Sequence, residues 1–459
     1  RADAREEWNE SLKRIEIEGG THEQRTKFYT DLFHALKGRR RVSDAGGTYM
    51  DMTGELPRVR NIPLDENGVP QYEHHNSDAF WGAAWTLNTL WPLAWPRIVH
   101  NFCNTFIDMY RNGGIIPRGP SGGNYTYVMT APTSTTFLVS AWKHGIRTFD
   151  IEGAYAGMLK NHSPGGLMSK AGYEHHTARG GGVEYYLERG YVPQGIEADA
   201  LHIRAAATMT LEYAFHDWAL AQLAKELGHD EDYDRLMARS RNYRNIWDPE
   251  TRFMRPRTMD GAFISDFDPM NPEGWCEGNG HHYRWHVPHD IQGLAALFGG
   301  SESFIRELDS LFRRAESHKF IAPHAKHAQR YIDYGNQPCT YLAHLFNHVG
   351  APWLTQKWVQ RVMHASKSDI TPFGGYGGDD DQGQMGALNA LMAIGLFNLR
   401  GGCEPEPILE LSTPIFDRIT IHRDAEYHGG GTFVIETQHN GPGDRYIQSA
   451  ELNGIPLKT

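Results

Sequence analysis

Apolar residues that return every three or four positions through the middle of the chain constrain its fold more than any other feature. Ile203, Ala207, Leu211, Ala214, Trp218 and Ala221 share one face of a long helix that Gly228 can end. Tyr233, Leu236, Ser240, Tyr243 and Trp247 carry the spacing on to Asp248-Pro249, where proline stops it. Residues 200–248 therefore read as an antiparallel helical hairpin. The same period returns over Phe28 to Leu36, Trp81 to Trp95, Ile98 to Tyr110, Pro132 to His144, Ile291 to Leu297, Phe304 to Phe312, Leu342 to His348, Trp353 to Met363 and Met385 to Phe397. Helices joined by long loops, without strand–helix alternation, predict hairpins closed into a toroid whose loops meet at one mouth. The expected fold is mainly α, an (α/α)6 barrel. After Pro405 the pattern turns β-like: Ile415 to His422 and Thr432 to Gln438 are turn-bounded, and Asn453-Gly454 is a hairpin signal.

The composition narrows the partners. With 459 residues, 40% of them hydrophobic, the chain can bury a large core, and 12 Trp, 21 Tyr and 20 Phe make that core rich in rings. No apolar run approaches the ~18 residues of a membrane span, so a soluble protein is expected. The net charge is −11 and the longest basic block is Lys37-Gly38-Arg39-Arg40-Arg41, which argues against nucleic acid and for a neutral ligand. Cys103, Cys276, Cys339 and Cys403 lie far apart with no CxxC spacing, against a zinc knuckle or a redox motif. The chain starts at Arg1 without a signal segment, as a processed or excised chain would.

Chemistry concentrates in two loops. Trp275-Cys276-Glu277-Gly278-Asn279 and Gly377-Gly378-Asp379-Asp380-Asp381-Gln382-Gly383-Gln384 set carboxylates among glycines. Crowded acids repel and glycine leaves them uncovered, so such runs bring charge to a ligand, a metal or a reacting bond. One isolated acid and one acid cluster suit general acid and base work. The histidines His74-His75, His175-His176, His281-His282 and His324/His327 offer a transition-metal alternative, but no HExxH or facial carboxylate pattern accompanies them. Trp81, Trp85, Trp275 and Trp285 are either sugar-stacking rings or core.

Several motifs together give the chain a family likeness: Arg14-Ile15-Glu16-Ile17-Glu18-Gly19-Gly20, Tyr191-Val192-Pro193, Leu211-Glu212-Tyr213-Ala214, Phe253-Met254-Arg255-Pro256-Arg257, Val287-Pro288-His289-Asp290 and Gly383-Gln384-Met385. The chain resembles glycoside hydrolase family 92, mostly calcium-dependent inverting exo-α-mannosidases. The resemblance implies a helical linker at 1–45, the catalytic barrel at 46–404 and the start of a C-terminal β element at 405–459. It also implies an N-terminal β-sandwich, mostly absent from this sequence, packed on the barrel, and a secreted or periplasmic glycan-cleaving enzyme.

By the same resemblance Glu277 is the general acid and Asp379 and Asp381 supply the general base. A carboxyl walled by rings such as Trp275 resists ionisation, which suits an acid. In an extended loop Asp379 and Asp381 would point the same way and share a water while Asp380 faces elsewhere. Inversion asks for ~6.5–9.5 Å between acid and base. Ca2+ would hold two sugar hydroxyls, with carbonyl and amide oxygens of the Gly335-Asn336-Gln337-Pro338 loop as its ligands and Asn279 and the Asp379 region as further candidates. Asp78, Trp81, Trp275, His281 and His282 are the expected sugar contacts.

Two departures from the family pattern touch sugar recognition. Gly335-Asn336-Gln337-Pro338-Cys339-Thr340-Tyr341 stands where the family reads Gly-Asn-Glu-Pro-Ser-His-His, so a carboxylate and two imidazoles are missing. Trp81-Gly82-Ala83 stands in place of Trp-Asp-Thr, with Asp78 one helical turn earlier as a substitute. Glycoside hydrolysis is thus expected more firmly than mannose. A same-fold glycosidase for another sugar, a carbohydrate lyase or epimerase, a non-catalytic carbohydrate binder and a zinc metallohydrolase are the alternatives.

Overall fold

The computed structural model describes residues 2–77, 79–170, 181–196, 205–371, 375, 378–441 and 443–457. Two concentric layers of helix alternate along the chain. The inner segments are Leu87–Ala94, Ser134–Lys143, Ala206–Leu227, Ile291–Leu297, Leu342–Val349 and Gln384–Ile394. The outer helices are His22–Lys37, Pro96–Gly113, Ile151–Asn161, Asp230–Arg239, Ser301–Ala315 and Pro352–Ser366. Burial distinguishes the layers. Every residue of Gln384–Ile394 is buried, whereas Asp230–Arg239 buries only Leu236. A helix apolar on all faces must be enclosed, and an amphipathic one can cover it and meet water. The last inner helix packs against the first outer one, Gln384–Ile394 on His22–Lys37, and also against Leu87–Ala94, which closes the ring. The chain is an (α/α)6 barrel, as the helical period predicts.

Aromatic rings fill the space between inner segments. Trp85 stacks on Phe215 at 5.9 Å and lies 4.5 Å from Tyr341, whose hydroxyl is 3.0 Å from His286 Nδ1. Trp85 and Trp285 are therefore core residues. Trp285 is fully buried against Phe298.

Some elements depart from the expected ones. The second arm of the 200–248 hairpin is helical only to Arg239; Asn242–Ile246 tightens to 3₁₀, and Trp247–Asp248 pairs as a strand with Phe253–Met254. Leu342–Val349 is 3₁₀ rather than α. Ile203 lies outside the described residues. The Asn453-Gly454 hairpin forms, with φ of 52° and 77° at its two turn residues. Ile15–Glu18 adds a strand that pairs antiparallel with Arg418–His422, which pairs in turn with Thr432–Glu436. One apolar core runs from Ile15 through the barrel to Ile421. All four cysteines are buried and form no disulfide among the described residues, and no described helix is long and apolar enough to cross a membrane.

A buried charge fastens one sector of the ring. Asp217, on the Ala206–Leu227 helix, receives Arg239 Nε and Nη2 at 2.8 and 2.6 Å, His162 Nδ1 at 2.8 Å and the Tyr186 hydroxyl at 3.0 Å. Burial alone would raise its pKa; Arg239, His162 and Tyr186 outweigh burial and lower it. Its folded pKa thus lies below the unfolded value, so its stabilisation is present above that unfolded value and is lost as pH falls through the folded one. Asp217→Asn leaves Arg239 buried without a counter-charge and is expected to cost about 3–5 kcal/mol in urea denaturation at neutral pH. The gap between variant and wild type should narrow in acid.

Candidate active site

The Trp275–Asn279 loop is held from behind. Cys276 N–H donates to Thr208 Oγ1 at 3.0 Å, the Tyr283 hydroxyl donates to the Cys276 carbonyl at 2.6 Å, and the Trp275 and Tyr283 rings stack at 5.4 Å. Glu277 then takes φ of +46°, a left-handed conformation that a non-glycine residue adopts only when its surroundings impose it. Half-buried, it lines a cleft of about 630 Å³ with Met270, Pro272, Gly278 and the 325–329 loop. Asn336 Nδ2 donates to both the Glu277 carbonyl, at 3.2 Å, and its carboxylate, at 3.1 Å.

The acidic loop reaches the same place by glycine contact. Gly378 has φ of +90°, and a Cβ on it would overlap the Gly335 backbone, so the two strands of chain touch where neither has a side chain. Asp379 pairs with His324 Nδ1 at 3.3 Å on the exposed side. Asp380 turns inward to His34 Nδ1 at 2.9 Å, and its other carboxylate oxygen is buried without a partner. The loop is not extended, contrary to the sequence expectation. Asp381 and Gln382 both have positive φ, +47° and +54°, because the chain must turn tightly into the Gln384–Ile394 helix. Gln382 Oε1 accepts from Arg40 and Ser77, each at 3.0 Å, which pins the turn to the wall.

The 324–329 loop links the two acids. His324 pairs with Asp379 while Ala325 to Gln329 wall the cleft that Glu277 lines. Burial opposes charge on His327, but its Asp333 partner at 2.8 Å, with the fields of Glu277 and Asp379, outweighs burial and raises its pKa. A cation on His327 therefore sits within the field of both carboxylates.

The other predicted residues divide. Asn336 is buried against Glu277, and Gln337 is buried beside Gly82 with its amide oxygen unpartnered. Asn279 caps the Gly280–Tyr283 turn: its side-chain oxygen accepts from His281 and His282 N–H, and its amide donates to the Ala328 and Arg330 carbonyls. Its carbonyl accepts from the His282 and Tyr283 N–H groups, so both of its oxygens are taken. His281 lies edge-on to Phe253 and Tyr331, and His282 bonds the Arg330 carbonyl at 2.9 Å. Burial lowers their pKa values to about 3 and about 4, so both are neutral, and neither lines the cleft beside Glu277. Trp275 is buried on Tyr283. Asp78, His175 and His176 lie outside the described residues. Among the described residues no group of three or more His, Cys, Asp or Glu is placed to hold a metal.

Sequence reasoning missed Glu212. It accepts from Trp81 Nε1 at 2.7 Å and from the Thr130 hydroxyl, and burial raises its pKa to about 7 against the pull of those donors and of Arg118. An acid between Leu211 and Ala214 in a helix buried over most of its length was the available signal.

A model of the glycosyl hydrolase family 92 catalytic domain matches residues 1–459. The chain belongs to this family. Its fold is similar to that of a family 92 inverting mannosidase from Bacteroides thetaiotaomicron, with 28% identity and a TM-score of 0.83 over 99% of this chain and 59% of that one. A family 92 alpha-mannosidase from the same organism shares the fold at 24% identity and a TM-score of 0.82, over 98% of this chain and 54% of that one. An uncharacterized secreted glycosidase from Arthroderma benhamiae is 22% identical over 403 residues, 80% of this chain and 47% of that protein. The family 92 chain thus spans about half the length of the curated relative it matches.

Gly378→Ala would push the acidic loop off Gly335 and strain a left-handed residue. On the glycosidase reading proposed below, kcat/KM for an aryl α-mannoside should fall by about 10²-fold, the usual cost of an ångström-scale misplacement. Gly443→Ala, where nothing lies within 4 Å, should leave it unchanged.

Proposed function

We propose that this family 92 chain is the catalytic barrel of an exo-acting glycoside hydrolase that cleaves a terminal α-linked sugar, an α-mannoside first, with inversion. The observation that carries this reading is the convergence of Glu277 and Asp379 on the 324–329 loop beside one cleft. Glu277 gives its proton to the glycosidic oxygen as the bond to the anomeric carbon breaks. A water on the opposite face attacks that carbon, and the Asp379/Asp381 pair takes its proton. Asn336, bonded to Glu277, orients the acid, and His324 steadies Asp379. Trp81, Trp275, His281 and His282 shape the sugar wall, with Asp78 as a further contact. The kinship with a secreted glycosidase supports export, and the greater length of the relatives supports a further domain, a β-sandwich, on the barrel.

Family 92 enzymes are generally calcium-dependent. On this chain Asn336 and Gln337 are the implied ligands; of the further candidates, Asn279 has both oxygens engaged and Asp379 pairs with His324. Neutral amides alone do not suit a hard divalent ion in a buried site, so no step above is routed through calcium.

Proton NMR of the first product checks the mechanism: a β-configured sugar is expected, whereas an α product or an unsaturated one would overturn it. Glu277→Gln should lower kcat by about 10²–10⁴-fold on an alkyl α-mannoside and far less on a dinitrophenyl one, whose leaving group departs without a proton. Asp381→Asn should impair both substrates alike.

A further inference from the structure

The two positions at which the chain departs from its family pattern touch each other. Gly82 has φ of +80°, and a Cβ on it would overlap Gln337 Cγ, with Gln337 Cβ at 2.8 Å and Gln384 Oε1 at 3.2 Å. The room that a side chain at 82 would need is filled by the Gln337 stem, so the two exchanged positions share one space.

What occupies this spot is neutral and acceptor-rich. Gln337 and Gln384 are both fully buried, and Oε1 of each lacks a hydrogen-bond partner. The orientation of Gln384 is fixed by its Nε2, which donates to the Ala79 carbonyl at 2.5 Å. A calcium ion here would need six to eight oxygens at ~2.3–2.6 Å and negative charge to offset its desolvation. The carboxylates of the site mostly have partners already. Glu277 accepts from Asn336, Asp379 pairs with His324, Asp380 bonds His34 through one oxygen and keeps the other buried and unpartnered, and Glu212 holds Trp81 and Thr130. Asp333 holds His327 and the Ala322 and Gly335 N–H groups, and Asp381 also has a partner.

We infer that this chain works without a resident calcium ion, and that the Gln337 and Gln384 amide oxygens beside Gly82 accept hydrogen bonds from the hydroxyls of a neutral sugar instead. A buried acceptor without a donor is costly, and a polyol hydroxyl is the donor that a glycan site offers. The sugar half of the inference rests on the glycosidase reading; the metal half does not.

The test uses the full-length protein. After dialysis, elemental analysis should find calcium well below one ion per chain, and the melting temperature should not move on addition of calcium chloride. One bound calcium per chain, or a melting temperature that climbs with calcium, would overturn the inference. Gln337→Glu returns the carboxylate without needing room at 82 and should gain a calcium-dependent rise in melting temperature that the wild type lacks. Hydrolysis of an aryl α-mannoside should be the same in EDTA as in calcium. Activity that appears only with calcium overturns this inference and leaves the glycosidase reading intact. Absence of activity in either buffer, with no calcium bound, overturns the glycosidase reading and leaves the metal half standing.

Discussion

The acidic loop meets the segment that holds Glu277 because neither has a side chain at the crossing. Gly378 rests directly on Gly335, and one residue further along, Asn336 reaches Glu277. Remove that close approach and Asp379 no longer faces the loop whose other end walls the Glu277 cleft. The barrel behind serves this contact. Its inner helices are buried on nearly every face and cannot shift, and its aromatic centre of Trp85, Phe215, His286 and Tyr341 ties segments from four parts of the chain. A rigid ring can then impose left-handed conformations on Glu277, Asp381 and Gln382, which no local preference of those residues would select.

Much of this was legible in the residues. The period of three and four placed ten of the helical segments, because an amphipathic or buried helix writes its face directly into the chain. It failed where the period has more than one solution. A run of eight residues such as Leu342–Val349 buries the same side chains as 3₁₀ or α, and Ser240 to Trp247 keeps apolar spacing while the backbone tightens and then extends. Ile151–Asn161 was hidden by Gly153 and Gly157, which lower helix propensity although Asp150 caps the start. Ile15–Glu18 is too short to announce itself, since its partner lies some four hundred residues away.

The site was legible as residue types and not as roles. Glu277, Asn336 and the acidic run stand near one another as their chemistry suggests, yet Asn279 is a helix cap, His281 and His282 are buried and neutral, and Asp380 is an anchor to His34. A cap and a metal ligand use the same side-chain oxygen, so only the position of the neighbouring N–H groups separates them. The contact of Gly82 with Gln337 was out of reach in principle. Two positions 255 apart reveal their dependence only when folded against each other.

The three-stranded sheet has a consequence for how such a molecule is made. Residues 15–18 find their partner only when 418–422 exist, and Arg14 meets Asp424 across a separation of 410 residues. A nascent chain emerging from the ribosome must leave the 15–18 strand unpaired until residues 418–422 are synthesised. The late strand acts as a clasp, and the interval before it fastens is when the chain is most exposed to aggregation or chaperone capture.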